Sequence, residues 1–399
     1  MLLPLIGIFS KKMKLFADGR KQVFSNLRSQ LNPDEKHIWI HAASLGEFEQ
    51  AVPVMELLKE KYPGHRILVS FFSPSGYENK KNHPLADMIT YLPLDTPANA
   101  REFLNLVNPE LVFFVKYDIW PNFLEEIKKR GIRCFLISGV FRKDQIYFKS
   151  YGAWMKKALG SFEHIFVQNQ ESKELLEKKG FSNVSLSGDT RFDRVSRQLT
   201  YNNKLEILEN FLQEELCIVA GSTWPEDEEL LLKYINSAPS GVKFVIAPHE
   251  IKSEKIQNLK DSLKIPAVLY SETPDQDPKD FQLLIIDNIG LLSRIYSYAD
   301  IAYVGGAAGD TGLHNILEPA TFGIPVVIGK NFEKFPEAQK LQQLAGLFSV
   351  ATKEELTGIM NKLVGNEKFR SKSGMIAGHF INSNTGATRI IGKYLASNP

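Results

Sequence analysis

Residues 37–58 read HIWIHAASLGEFEQAVPVMELL, and the fold turns on this stretch. HIWIHAA is a short apolar run of strand character. The polar turn after it opens an amphipathic segment of helical period. The same pair recurs along the first half of the chain, with strand-like runs at RILVSFF, MITYLP, ELVFFVKYD, RCFLISGV and HIFVQN, each followed by a helical pattern. Strands that alternate with helices in this way build a parallel sheet covered on both faces. A Rossmann-like domain over residues 37–195 is therefore expected.

Beyond it, residues 196–214 (SRQLTYNNKLEILENFLQE) are polar, helical in character and free of any strand run, which marks a connection between domains. A second alternation then begins with CIVAGS and continues through KFVIAPH, AVLYSE, FQLLIID, IAYVGG and PVVIG. The expected fold class is α/β, with two Rossmann-like domains facing a cleft. The second domain spans 215–399, and its last helical stretch, about 367–396, is free to pack back across the junction.

Composition agrees with two ordinary cores. The chain has 399 residues, 43% of them hydrophobic and 24% charged, too many for one compact core and too apolar for disorder. Charge is unevenly spread: residues 1–195 carry 28 basic and 22 acidic groups, residues 196–399 carry 20 and 24. A basic first half suits an acidic partner such as anionic lipid, while the excess is too small to point to nucleic acid. Only two cysteines occur, Cys134 and Cys217, far apart in apolar runs, so neither a disulfide framework nor a zinc site is indicated.

The segment 1–36 opens with MLLPLIGIFSKKMKLFADGRK, a short apolar run followed by Lys11, Lys12, Lys14, Arg20 and Lys21. Such a run is too short to span the roughly 30 Å hydrocarbon layer of a bilayer. Its basic cluster follows the apolar run instead of preceding it, unlike a cleavable signal. Docking at an anionic membrane surface is the expectation, a solvated terminus the alternative.

Ligands of doubly wound folds sit beyond the carboxyl ends of strands, so the residues there are the candidates. After the first strand, Ser44 caps a helix and Glu47 falls three positions on. As a capping box, Glu47 would hold the Ser44 amide; as a general base, it would take a proton from an acceptor hydroxyl. In GSTWPEDEE, Gly221, Ser222 and Thr223 lie between a strand and an acid-led helix, either as a phosphate cradle or as an ordinary strand-to-helix turn. In VGGAAGDTGLHNILEPA, Gly305 and Gly306 permit close ligand approach, and Glu318 is placed to accept hydrogen bonds from a ribose, or merely to serve a helix start.

Other candidates carry less. Asp275 and Asp277 form a D-x-D pair in a Pro-rich loop with no strong strand end, which reads as solvated surface. His37, His41, His249 and His314 lack metal-site spacing, and no metal is expected. Arg142, Lys143 and Tyr147 either serve an anionic ligand or solvate a helix start.

The blocks HAASLGE, KYDIWPN, LSGDTRFD, GSTWPEDE, IDNIGLL and VGGAAGDTGLHNILEPATFG stand in the order seen in the 3-deoxy-D-manno-octulosonic acid (Kdo) transferases of lipopolysaccharide synthesis. The chain resembles that family from about residue 12 to its end. The resemblance implies a GT-B fold and an inverting transfer of Kdo from CMP-Kdo to the 6′-hydroxyl of a lipid A precursor. It implies no cofactor or metal ion, and a place at the cytoplasmic face of the bacterial inner membrane, peripheral or anchored by the N-terminus. It makes Glu47 the catalytic base, and places groups that stabilise the transition state on Asp118 and Arg191. CMP contacts would fall on Pro248 and His249, on Ile289, Gly290 and Leu291, and on Asn315, Ile316, Leu317 and Glu318.

Five positions depart from the family pattern. Lys116 stands where a Glu is usual, Asp118 shortens another Glu, Arg191 replaces Lys, His249 replaces Arg and Leu291 replaces Glu. Backbone contacts survive such changes, whereas side-chain reach does not. Two rival readings are a GT-B transferase that uses a UDP-sugar and an inactive nucleotide-binding module.

Overall fold

The computed structural model describes residues 11–32 and 34–398. The apolar run of the expected docking segment lies outside them; Lys11–Lys21 and Val23–Gln30 are helices. The chain divides into two units. One takes the described residues through Arg194 together with those from Thr385 onward, and the other is Val195–Asn384.

The first unit is a seven-stranded parallel sheet: β1 (Lys36–Ala42), β2 (His65–Phe71), β3 (Met88–Tyr91), β4 (Pro109–Val115), β5 (Arg133–Gly139), β6 (His164–Val167) and β7 (Val184–Leu186). Their spatial order is β3-β2-β1-β4-β5-β6-β7. Alternate side chains enter two separate cores. Trp39, Leu68, Phe114 and Leu136 pack on one face, while Ile38, Ile40, Val69, Phe113 and Phe135 pack on the other. Burial on both faces explains why the strands read as unbroken apolar runs.

The second unit repeats the plan with β8 (Leu216–Thr223), β9 (Val242–Pro248), β10 (Ala267–Leu269), β11 (Leu283–Ile285), β12 (Ile301–Val304), β13 (Val326–Ile328) and β14 (Leu347–Ser349). All are parallel, in the order β10-β11-β9-β8-β12-β13-β14. Two strands escaped the sequence reading, β7 and β14. Each is an edge strand of three residues with one buried position or few, so neither produces an apolar run.

The last helical stretch is two helices, Glu367–Asn384 and Ala387–Ser397, separated at Gly386, whose φ of 114° ends the run. Ile391 and Leu395 of the second helix enter the first unit's core beside Val54 and Met55. Asp193 receives the Gly386 and Thr388 amides at 2.7 and 3.0 Å, which caps that helix. Within the expected connection, Gln198–Thr200 is a short 3-10 turn and Glu206–Leu212 a helix.

Candidate active site

In each sheet the chain reverses its direction of travel beside its first strand. Strand β1 lies between β2 and β4, and β8 between β9 and β12. Helices that leave two neighbouring strands in opposite directions open a crevice at their carboxyl ends, and ligands bind there. The residues after β1 and β4, and those after β8 and β12, are therefore the places to look.

After β1 the backbone turns at Ser44 into the helix Leu45–Lys61. Ser44 Oγ accepts from the Glu47 amide, and Glu47 Oε2 accepts from the amides of Ala43 (2.6 Å) and Ser44 (3.2 Å). The capping box is thus present. It also pins one carboxylate oxygen at the strand mouth, where Glu47 is 7% exposed. Burial pushes its pKa up, the nearby Asp118 charge pushes it further, and His41, the Ala43 amide and Lys116 pull the other way. A capping carboxylate and a poised base are compatible roles for one side chain.

After β4, Lys116 takes a left-handed conformation (φ 63°), which costs a non-glycine residue on the order of 1–3 kcal/mol and turns the chain sharply toward Asp118. Asp118 Oδ2 receives His41 Nε2 at 2.6 Å and the Trp120 indole N–H at 2.7 Å. Asp95 accepts from the amides of Asn122 and Phe123, both at 3.1 Å, and so anchors the helix Pro121–Lys129, whose own cap residue Trp120 makes no side-chain cap. Tyr147 reaches the same loop, its hydroxyl donating to the Tyr117 carbonyl, and burial with the Asp118 charge pushes that phenol up to about 12. Glu47, Lys116 and Asp118 therefore share one mouth. Arg191 pairs through Nε with Asp189 at 2.8 Å, and Asp189 in turn accepts from Gln50 on the helix that carries Glu47.

In the second unit, Trp224, His249 and His314 meet at the ends of β8, β9 and β12. Trp224 stacks on His249 with ring centres 4.6 Å apart, His249 lies 4.5 Å from His314, and the Trp224 indole donates to His314 at 3.1 Å. Burial, then His249, pushes His314 down to about 4, which leaves it neutral as an acceptor. Pro248 and Thr223 also line a pocket of about 380 Å³ with Trp224, Glu228, Glu250 and Lys255. Gly221 and Gly305 are required by close approach: an added Cβ would meet the Tyr296 hydroxyl at 2.0 Å and the Ser222 carbonyl at 2.3 Å.

Glu318 lies in the short helix Leu317–Thr321, preceded by Ile316; its carboxylate accepts from Ser293 and from Asn315, both at 3.1 Å. Leu317 donates its amide to the Asn315 side chain. Ile289 is 91% exposed, Gly290 has φ 97°, and Leu291 caps the helix Leu292–Ile295, which delivers Ser293 to Glu318.

Two groups assigned to a phosphate are already engaged. The Thr223 hydroxyl donates to Glu228 at 3.0 Å, and the Gly306 amide donates to Asp227 at 2.7 Å. Ser222 is held at φ 55° immediately before Thr223, at the end of β8. The residue that organises this corner, Asp227, was read only as part of an acidic helix start. It is fully buried and also accepts from the Trp224 amide and the Tyr303 hydroxyl. Its position three residues after Trp224 matches a capping carboxylate, and that signal was available. Asp277 pairs with Lys279 at 2.5 Å on the surface, consistent with a solvated loop.

Comparison with known proteins supplies the class. A solved structure with the same architecture is UDP-GlcNAc 2-epimerase from Neisseria meningitidis bound to UDP-GlcNAc, with a TM-score of 0.63, 15% identity, and coverage of 91% of this chain and 100% of that one. A bifunctional glycosyltransferase/methyltransferase of Fusobacterium nucleatum is 29% identical over 90% of this chain; the chain spans 56% of that relative's length. The fold is of GT-B architecture, two parallel seven-stranded sheets with helices. More particularly, the chain is a relative of the Kdo transferases. The family model described as 3-deoxy-D-manno-octulosonic-acid transferase (kdotransferase) matches residues 18–194. The transferase of that name from Haemophilus influenzae is 26% identical over 97% of this chain and 93% of its own length.

Proposed function

We propose that the chain transfers Kdo from CMP-Kdo to the 6′-hydroxyl of a lipid A precursor, with inversion and without a metal ion. The observation that carries this reading is Glu47, a buried carboxylate of raised basicity at the β1/β4 mouth, in the region that matches the Kdo transferases. Glu47 takes the acceptor proton as the acceptor oxygen bonds to the anomeric carbon; the bond to phosphate breaks from the opposite face, and CMP leaves with its electron pair. The nucleotide belongs to the second unit, where Glu318 accepts from the ribose and the Trp224–His249 stack offers an imidazole donor to phosphate.

Acceptor-dependent release of CMP from CMP-Kdo, measured with EDTA present, tests the reading. Release that requires the lipid A precursor and persists in EDTA is the expected result. CMP binding without release, or release from a UDP-sugar instead, would replace it with one of the two rivals. Loss of release in EDTA would remove metal independence alone.

A lipid acceptor also needs a membrane-facing surface, and we place this protein at the cytoplasmic face of the inner membrane. Among the described residues no helix is long and apolar enough to cross a membrane. The segment 142–157 supports docking instead. Tyr151 is 71% and Trp154 56% exposed, Ile146 is exposed beside them, and Arg142, Lys143, Lys149, Lys156 and Lys157 surround them against one acid, Asp144. Aromatic rings among cations suit the interface of an anionic bilayer. The Tyr147–Tyr117 hydrogen bond ties this surface to the Asp118 loop. Replacing Tyr151 and Trp154 together by Ser should weaken co-sedimentation with anionic vesicles about 30-fold, given roughly 1 kcal/mol for each interfacial anchor. Unchanged co-sedimentation would discard the patch; deleting residues 1–21 in the same assay reports the N-terminal contribution separately.

A further inference from the structure

His41 is fully buried, and the proposed reaction leaves it unused. It sits at the end of a continuous chain of hydrogen bonds through the sheet. The Trp39 indole N–H donates to Ser70 Oγ at 2.8 Å, Ser70 Oγ meets His41 Nδ1 at 2.8 Å, and His41 Nε2 meets Asp118 Oδ2 at 2.6 Å. The direction of the chain follows from its first donor. Indole nitrogen only donates, so Ser70 accepts there and has its own proton to give to Nδ1. The hydrogen of a neutral imidazole then lies on Nε2, aimed at Asp118 Oδ2, and the Trp120 indole N–H, 3.0 Å from Nε2 and 2.7 Å from that oxygen, is left to donate to Asp118. Trp39 and Ser70 are fully buried as well, so nothing in solvent competes with this order. The parallel pairing of β1 with β2 sets His41 directly opposite Ser70.

We propose that His41 is a positioning residue for the transfer: through this buried chain its imidazole holds the Asp118 carboxylate at a fixed place beside Glu47. The inference rests on the reading of Glu47 as base. Trp120 supplies the second donor to the same oxygen, so Asp118 is gripped from strand β1 and from its own loop. A charge fixed there repels a second negative charge on Glu47 and makes Glu47 hold its proton more tightly once it takes one. The shorter side chain at 118, where the family pattern has Glu, makes a rigid hold by His41 and Trp120 together more important. The charged and titratable groups that face Glu47 are Asp118 and Lys116 from the loop after β4 and His41 from β1; Tyr147 faces Asp118.

The test compares His41→Phe, His41→Gln, Asp118→Asn and Glu47→Gln in acceptor-dependent CMP release across pH, with circular dichroism as the control for folding. Phe fills the site without donating, whereas the Gln amide can still reach Asp118. His41→Phe should lower kcat about 100-fold, with KM for CMP-Kdo within about twofold, in the range of lost general-base efficiency. His41→Gln should recover to within about tenfold of the unaltered protein. In Asp118→Asn the acid limb of the rate profile should move to lower pH, because Glu47 loses its negative neighbour, while His41→Phe leaves that charge in place and acts on kcat through its position. Combining these two changes should be no worse than the poorer single one. Equal loss in both His41 variants would reduce His41 to packing and overturn the proposal. An acid limb that Asp118→Asn leaves unmoved or moves to higher pH would overturn it too, since the charge that His41 holds would then not act on Glu47. If Glu47→Gln turns over normally, the base reading itself fails; if it is dead while both His41 variants lose equally, only the positioning role fails.

Discussion

Replacing Glu47 by Gln should abolish acceptor-dependent transfer, a loss of about 10²–10⁴-fold or more, while the fold and CMP binding persist. Gln keeps the volume and can still answer the capping amides of Ala43 and Ser44, so the helix Leu45–Lys61 starts as before. The pH dependence has a definite sign. A base works only when ionised, and burial together with Asp118 raises the Glu47 pKa, so the acid limb of the profile should lie above the ordinary carboxylate range. The same shift acts on stability. Because the folded-state value is raised, the folded protein resists ionisation, and Glu47 costs stability as pH rises above the unfolded value. At neutral pH Glu47→Gln should therefore melt no lower than the unaltered protein. Normal turnover would end the base assignment, and a large fall in melting temperature would show that the carboxylate is needed for the cap.

Asp227→Ala should produce the largest stability loss in the second unit. The carboxylate is fully buried and accepts from the Gly306 amide at 2.7 Å, the Trp224 amide at 3.0 Å and the Tyr303 hydroxyl at 2.8 Å. Removing it takes the acceptor from these three donors and from the Ala308 amide at 3.3 Å, each worth about 1–3 kcal/mol when left buried and unpaired, and the loss should reach roughly 3–5 kcal/mol. Asp227→Asn keeps one oxygen and should lose about half as much. Hydrogen exchange of the 301–313 segment reports the loss directly, and CMP affinity should fall with it, because the glycine-rich turn is no longer held against β8. Undiminished protection in Asp227→Ala would show that the turn is held by its close packing alone. This would shift the weight to Gly305 and to Gly306, where an added Cβ would meet the Gly312 carbonyl at 2.1 Å.

The alternation of apolar runs with helical stretches was legible because strands buried on both faces must be apolar throughout, and twelve of them stood out in that way. Their parallel pairing follows from the helices between them. Strands β7 (VSL) and β14 (LFS) were not legible, since each has a serine among its three residues and one buried position, whereas the equally short edge strand β10 (AVL) is apolar throughout. Ser44, Glu47 and Glu318 were legible as candidates because caps and strand ends carry local signals that a short spacing reveals. Asp227 carried the same local signal, but its reach to Gly306, 79 residues away, did not follow from it.

By itself, then, the sequence determined the class of fold, the strand ends where chemistry is sought, and the capping geometry of Glu47, because each depends on residues within one helical turn of one another. The tertiary structure alone decided the strand order, and with it which ends lie side by side. It brought Asp118 to His41 across 77 positions and returned the Ala387–Ser397 helix to the first unit, capped by Asp193. Those pairings arise from packing whole strands and helices into two cores, and a hydrogen bond between distant residues leaves no periodic mark on the chain that forms it.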